Sequence, residues 1–483
     1  MTKSRLASAA VTFALLVPRV AGAQAQLTAG ADAPQWLKDR SYNEGIGVRT
    51  GDLELHPGVA GEAGYDSNYF LRSDKQNVDN GAPNAPIIPA AVFRITPSLY
   101  LSTIGPQRRE GDVVAQPPGV AFRAGVNATY KAFLGLDNNS TGNNDISKQD
   151  NIGGAADARL EILPQRPFGA NIFANYARTL MPNIDSGDPN LSFNRDDIGV
   201  GGEFVIQPGS GTLDWRLGYQ FHDTLFENSN AKLYDNYTHQ AYTRGRWRFR
   251  PRTALIYDAQ LGFSTYANAS QAATVGLVNS TPVRTRIGMT GLITDRFAAL
   301  AMVGWGASFL DQNVTSGQPQ YDSVIGQAEL KWFLSASPGV AAASDVSLAL
   351  SSIALGYTRD FQTSYLGDYY GQDRGYLKFS YFFAGRALVT LEGGVGAVEY
   401  PAMYFGNGQQ RANPFTDVRA DATLFGEYRF TNTFGINTTL RYTANFSNTQ
   451  IPDAVAAMGG PAPGVIDMSW SRFEAYLGVR WFM

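Results

Sequence analysis

The sequence predicts an all-β chain, a transmembrane antiparallel up-and-down β-barrel of about 18 strands, within a range of roughly 16–20. Three observations carry the prediction. Short runs of alternating apolar and polar residues recur along the chain, as expected when successive side chains point to opposite faces of a strand. The connections between runs alternate between short and long. The composition is rich in glycine and aromatic residues, with 51 Gly, 24 Tyr, 28 Phe and 7 Trp, which barrels use at crowded backbones and at membrane interfaces.

Before the first run, Lys3 and Arg5 precede an apolar stretch over 6–17 and a small-residue site at Ala21-Gly22-Ala23. This is a secretory signal, residues 1–23, with the mature chain starting at Gln24. The apolar stretch is too short to be a membrane anchor. Residues 24–50 hold Pro34 and Trp36 but no periodicity, and read as a short periplasmic arm. Residues 51–483 read as one barrel domain, with no linker dividing them.

The runs justify themselves in order. The third sets Phe122, Ala124, Val126, Ala128 and Tyr130 against Arg123, Asn127, Thr129 and Lys131. The seventh sets Leu213, Trp215, Leu217, Tyr219 and Phe221 against Asp214, Arg216, Gly218, Gln220 and His222. The sixteenth and seventeenth place Val418, Ala420, Ala422 and Leu424, then Ile436, Leu440, Tyr442 and Phe446, on one face. The last alternates from Phe473 to Met483, with Glu474, Tyr476, Gly478, Arg480 and Phe482 opposite. Short turns fall at 164–167, 208–211, 250–252, 294–296, 384–386 and 431–433. Long polar connections fall at 72–89, 136–147, 182–189, 268–280, 401–414 and 448–466. The short set is expected in the periplasm and the long set outside the cell. Two long turns, 104–118 and 335–344, break the trend on the periplasmic side. A soluble sandwich also alternates, but these apolar stripes have no second sheet to bury them.

Cysteine is absent, which excludes disulfide staples and thiolate metal sites, and a net charge of -3 does not call for a polyanionic partner. No phosphate loop, metal spacing or dinucleotide fingerprint is present, so no cofactor is expected, and dispersed Lys and Arg give no nucleic-acid footprint. His56, His222 and His239 are the only histidines. The last two fall near the external rim of adjacent runs, but no serine completes a triad, so the chain is not read as an enzyme.

If the apolar faces meet lipid, the others line a pore. Its densest single-sign feature is Tyr242, Arg244, Arg246 and Arg248 on the eighth run with Arg284 and Arg286 on the tenth, Asp258 and Gln260 lying between. Asp157, Glu161, Asp417, Arg419, Asp421, Glu427 and Arg441 point the same way from other runs. The functional reading is a transverse field or an anionic track. The blander reading is ion pairing between neighbouring strands, which the near-balance of 39 basic and 42 acidic residues favours. Inward rings at Tyr100, Tyr242, Tyr376, Phe382 and Tyr476 either stack on sugars or fill space. A lumen of this size with no plug domain would leak. Closure is therefore expected from loops, the arm or another protein.

The opening run reads Gly51-Asp52-Leu53-Glu54-Leu55-His56-Pro57, then residues 61–65, then Asp66-Ser67-Asn68-Tyr69-Phe70. It resembles the start of the β-barrel porin 2 family, whose members open with Gly-x-Phe/Leu-x-Leu-x-Pro and then Asp-Ser-Asn. Asp66 and Asn68 suit a loop closure, because their side chains bond nearby backbone. The resemblance implies an outer-membrane pore for exopolysaccharide, as in myxobacterial export clusters, working with a periplasmic export protein that lacks its own outer-membrane span. Competing expectations are a structural anchor for an envelope machine such as a gliding-motility complex, and a general diffusion porin.

Overall fold

The computed structural model describes residues 34–38, 47–73, 86–103, 119–136, 140–164, 166–180, 193–208, 212–311, 320–334, 351–383, 386–452 and 465–483. The expected signal segment, much of the expected arm, the third external loop at 182–189 and the two long periplasmic turns lie outside the described residues.

Eighteen strands form the wall. They are β1 Leu53–Asp66, β2 Ala90–Thr103, β3 Val120–Gly135, β4 Asn151–Ile162, β5 Phe168–Thr179, β6 Arg195–Ile206, β7 Leu213–Phe226, β8 Asn236–Arg250 and β9 Thr253–Tyr266. They continue as β10 Ser280–Leu292, β11 Phe297–Leu310, β12 Tyr321–Phe333, β13 Ser352–Ser364, β14 Asp368–Phe383, β15 Ala387–Tyr400, β16 Phe415–Arg429, β17 Phe434–Phe446 and β18 Trp470–Phe482. Each pairs antiparallel with its sequence neighbours. β18 then pairs with β1, from Gly58 opposite Phe482 to Asp66 opposite Glu474, so the sheet has no free edge. The expected fold class is the observed one. A short strand, Val48–Thr50, also pairs with β1 at Leu53–Leu55, at the end where β18 finishes.

Alternation fixes which face each residue takes. On β2, Phe93 and Ile95 are 52% and 57% exposed while Arg94 between them is 5%. The outward rows form a belt of Val, Leu, Ile, Ala and Gly. Aromatic residues collect at its two rims. At the short-turn rim, Phe168 stacks near Phe204, Phe297 on Trp332 and Phe430 near Phe434. Toward the loop rim, the outward Tyr176 hydroxyl donates to Asp196 at 2.6 Å. An exposed apolar belt between aromatic girdles is stable only against acyl chains. No described helix is long and apolar enough to cross a membrane; the crossing is made by strands.

The loop end is structured. It carries helices Ser140–Ser147 and Ala269–Thr274, a 3-10 turn Ser229–Tyr234, and two small hairpins pairing Met403–Tyr404 with Gln410–Ala412 and Gln450–Pro452 with Val465–Asp467. Asp66 and Asn68 do close the first strand. The Asn68 amide donates to Asp66 Oδ1 at 3.0 Å, and the Asn68 side chain both accepts from the Arg72 amide and donates to the Arg72 carbonyl.

Candidate functional site

The site is the lumen with its two openings. Every strand offers its inward row, and most charged groups there meet a neighbour of opposite sign. Glu203 on β6 accepts from Asn171 at 3.1 Å and from the Tyr242 hydroxyl at 2.8 Å. Around it stand Arg159, Arg216 and Arg244 at 3.5, 3.6 and 3.7 Å. Asp214 meets Arg216 at 3.2 Å and Arg246 at 3.8 Å. Arg286 lies between Asp258 at 3.7 Å and Asp360 at 3.5 Å, and Arg284 reaches Asp360 at 3.1 Å. Gln260 accepts from Gln240 and donates to Asp258, each at 2.9 Å.

The second group of inward charges sits elsewhere on the wall. Asp421 pairs with Arg374 at 3.1 Å, Arg441 lies 3.6 Å from Glu474, and Asp417 accepts from Asn445 at 2.8 Å. Arg419 donates to Asn445 at 3.0 Å and to the Tyr400 hydroxyl at 2.6 Å. Near the seam, Glu62 and Arg94 pair at 2.8 Å, and the Arg472 Nε lies 3.0 and 3.1 Å from the two Asp66 oxygens. Ion pairing between strands one to three apart along the wall therefore accounts for most of these side chains.

One arc stands apart. The inward rows of β7–β10 carry Arg216, Arg244, Arg246, Arg248, Arg284 and Arg286, with Arg250 at the rim, against only Asp214 and Asp258. Arg248 and Arg250 are exposed and meet no carboxylate among the described residues.

The inward tyrosines are tied into the wall. Tyr100, Tyr242, Tyr376 and Tyr476 each lie opposite a glycine: Gly125, Gly218, Gly356 and Gly64. A Cβ at Gly64 would sit 2.2 Å from the Tyr476 ring, and one at Gly218 2.3 Å from that of Tyr242. Glycine is required there because the ring lies flat on its neighbour's backbone. A guanidinium stands over three of the rings: Arg94 is 3.6 Å from the Tyr476 centroid, Arg244 4.5 Å from Tyr242 and Arg374 5.3 Å from Tyr376. This favours the space-filling reading of these rings over sugar stacking.

At both ends, chain outside the eighteen strands packs inside the rim. The short helix Gln35–Lys38 puts Trp36, 3% exposed, against Ala60 of β1, Phe425 of β16 and Leu388 of β15, all on inward rows near the short-turn end. The guanidinium of Arg480, also inward, lies 5.5 Å from the Trp36 centroid. No periodicity marks Trp36 in the sequence; the only cue is a lone Trp in an otherwise plain segment.

At the other end, the tight turn after β13 folds across the mouth. The Tyr365 ring lies 5.4 Å from Phe226 and 5.5 Å from Tyr234 in the β7–β8 connection, five strands round the wall. Asn236 donates to the Tyr365 hydroxyl at 3.4 Å, and burial pushes that phenol up to about 12. On the turn's other side Leu366 enters a cluster with Val398, Tyr400, Met403, Ile451 and Met468. Arg411 donates to the Leu366 and Pro452 carbonyls at 3.3 and 3.2 Å. The Val278 amide donates to Asp368 at 2.9 Å, which ties in the β9–β10 loop.

The histidines do not converge. His222 faces the lumen beside Asp197 at 3.8 Å, whereas His239 on the adjacent strand faces outward and meets the Tyr219 hydroxyl at 2.6 Å. His56 meets the Met483 carbonyl at 3.0 Å. Among the described residues no three metal-ligating side chains come together.

No protein-family model and no curated protein matches the chain, so the likeness of its first strand to the β-barrel porin 2 family stands on that segment alone. Solved outer-membrane proteins share its architecture. Pseudomonas aeruginosa OccK7 (OpdD) is 10% identical with a TM-score of 0.44, the match covering 90% of this chain and 99% of that one. Pseudomonas aeruginosa OpdK with vanillate is 11% identical with a TM-score of 0.42, covering 89% and 99%. Acinetobacter baumannii OccAB4 is 9% identical with a TM-score of 0.39, covering 89% and 98%. At these values nothing about solutes carries over. The closed wall, the lipid-facing belt and the charged interior make this chain a β-barrel pore protein of the bacterial outer membrane.

Proposed function

We propose that the barrel is a passive conduit for a secreted polysaccharide, held shut at rest by its own chain and opened together with a periplasmic export protein. The observation that carries this reading is Trp36, seated on inward residues of β1, β15 and β16. An 18-stranded wall leaves an aqueous channel unless something fills it. A pore for small solutes has little use for such a stopper, whereas a wide pore for a polymer must be closed between transport events. The arm begins as the mature terminus at Gln24 after signal cleavage, and no cofactor or catalytic step is assigned. The lumen would act through its width and its field.

Deletion of the gene, with complementation, tests the proposal. Surface polysaccharide should disappear and return. Unchanged secretion would overturn it, and co-purification with an envelope motor would then favour the anchor reading. Large, steady currents from the unmodified chain in planar bilayers would instead make it a diffusion porin.

A further inference from the structure

The arginine arc of β7–β10 is more than an average patch of a paired lumen. Arg216, Arg284 and Arg286 are about as buried as the carboxylates they meet, but along β8 Arg244 and Arg246 stand above their acids. The Glu203 and Asp214 side chains are 5% and 13% exposed, against 24% for Arg244 and 35% for Arg246. Towards the short-turn rim Arg248 and Arg250 meet no carboxylate among the described residues. Inward residues of one strand are about 6.8 Å apart, so Arg244, Arg246 and Arg248 span about 14 Å measured along β8, Arg248 lying where its ladder to β9 bulges. Guanidinium stays charged at every working pH and matches carboxylate oxygens in a planar fork. A one-sided row inside a low-dielectric wall concentrates counter-charge along that row. Trp36 is seated on β1, β15 and β16, across the barrel from this row.

We propose that this row is a binding subsite for a linear polysaccharide bearing carboxylates, engaged from the short-turn rim before it passes the lumen. The proposal rests on the conduit reading and names its substrate class. Its length favours a chain of spaced charges over a single small anion. Arg246 and Arg248 would make the outermost contacts, with Arg244 held back by Glu203.

The test is equilibrium binding to the purified full chain in micelles, using hexagalacturonate and its fully methyl-esterified form, which keeps the sugar backbone and loses the charge. The acid form should bind at least about ten-fold more tightly, and raising the salt should weaken it. Arg246→Gln with Arg248→Gln should cost the acid form about ten-fold and leave the ester unchanged. The single Arg248→Gln, at a side chain that meets no carboxylate among the described residues, repeats the measurement if the double variant folds poorly. Equal affinity for acid and ester, or variants that bind the acid as the parent does, would overturn the subsite. Charge-blind binding combined with loss of secretion on gene deletion would leave the conduit standing for a neutral polymer, so the two failures are distinguishable.

Discussion

Glu62 and Arg94 show what single residues do in this wall. They form one buried pair on adjacent strands, with side chains 1% and 6% exposed, and Arg94 also covers Tyr476. Removing one partner strands the other charge where little water reaches it, which typically costs about 3–5 kcal/mol. Glu62→Gln should therefore lower the unfolding free energy obtained from urea titration by an amount in that range. Adding Arg94→Met should recover much of the loss, because Gln and Met are both uncharged and leave no orphan charge. Equal destabilisation by the single and the double variant would mean that lumen water already solvates the site.

At the scale of the element, strands and loops obey different rules, and this decides what was readable from sequence. Period-two alternation is a local property, so the faces of β3, β7, β16, β17 and β18 follow directly from residue order. The opposite faces of His222 and His239 follow too, since one is at an inward and the other at an outward register position. The turn chemistry of Asp66 and Asn68 is equally local. The lid was not readable: Tyr365 meets Phe226 and Tyr234 only because the barrel brings distant connections to one mouth. Trp36 was hidden for the same reason. The β7–β8 connection gives the lid a dependence on acidity. Asp235 accepts from the Phe226 amide at 2.7 Å, and burial lifts its carboxyl above the usual range, opposed by that bond and by Lys232 and reinforced by Asp223. A raised folded pKa means that the packed loop favours the protonated form. Its extra stability is complete below the unfolded value near 3.8 and fades as pH rises through the folded value. Amide exchange in the loop, corrected for intrinsic rates, should quicken from mild acid to neutral pH. Asp235→Asn keeps the acceptor and should flatten that profile; a profile unchanged in the variant would remove Asp235 as the cause.

For the whole molecule, the proposed closure puts two stoppers, the arm and the lid, in one tube, and their arithmetic differs from that of two independent gates. Resistances in series add. If Trp36 and the Tyr365 turn contribute comparably, removing either leaves the other in place and raises the current by at most about two-fold. Only removing both exposes the width that the 18-stranded wall provides. Trp36→Ala takes away the ring seated on Ala60, Phe425 and Leu388. Tyr365→Ala takes away the contact with Phe226 and Tyr234. Neither change touches a strand-to-strand bond, so the barrel should stay closed as a sheet and keep its heat-modifiable mobility on gels. Single-channel recordings of the parent, the two single variants and the double variant should then show two small increments and one rise well beyond their sum. A single variant that conducts as well as the double would show that the other end is no barrier. A double variant as silent as the parent would place the closure elsewhere in the chain.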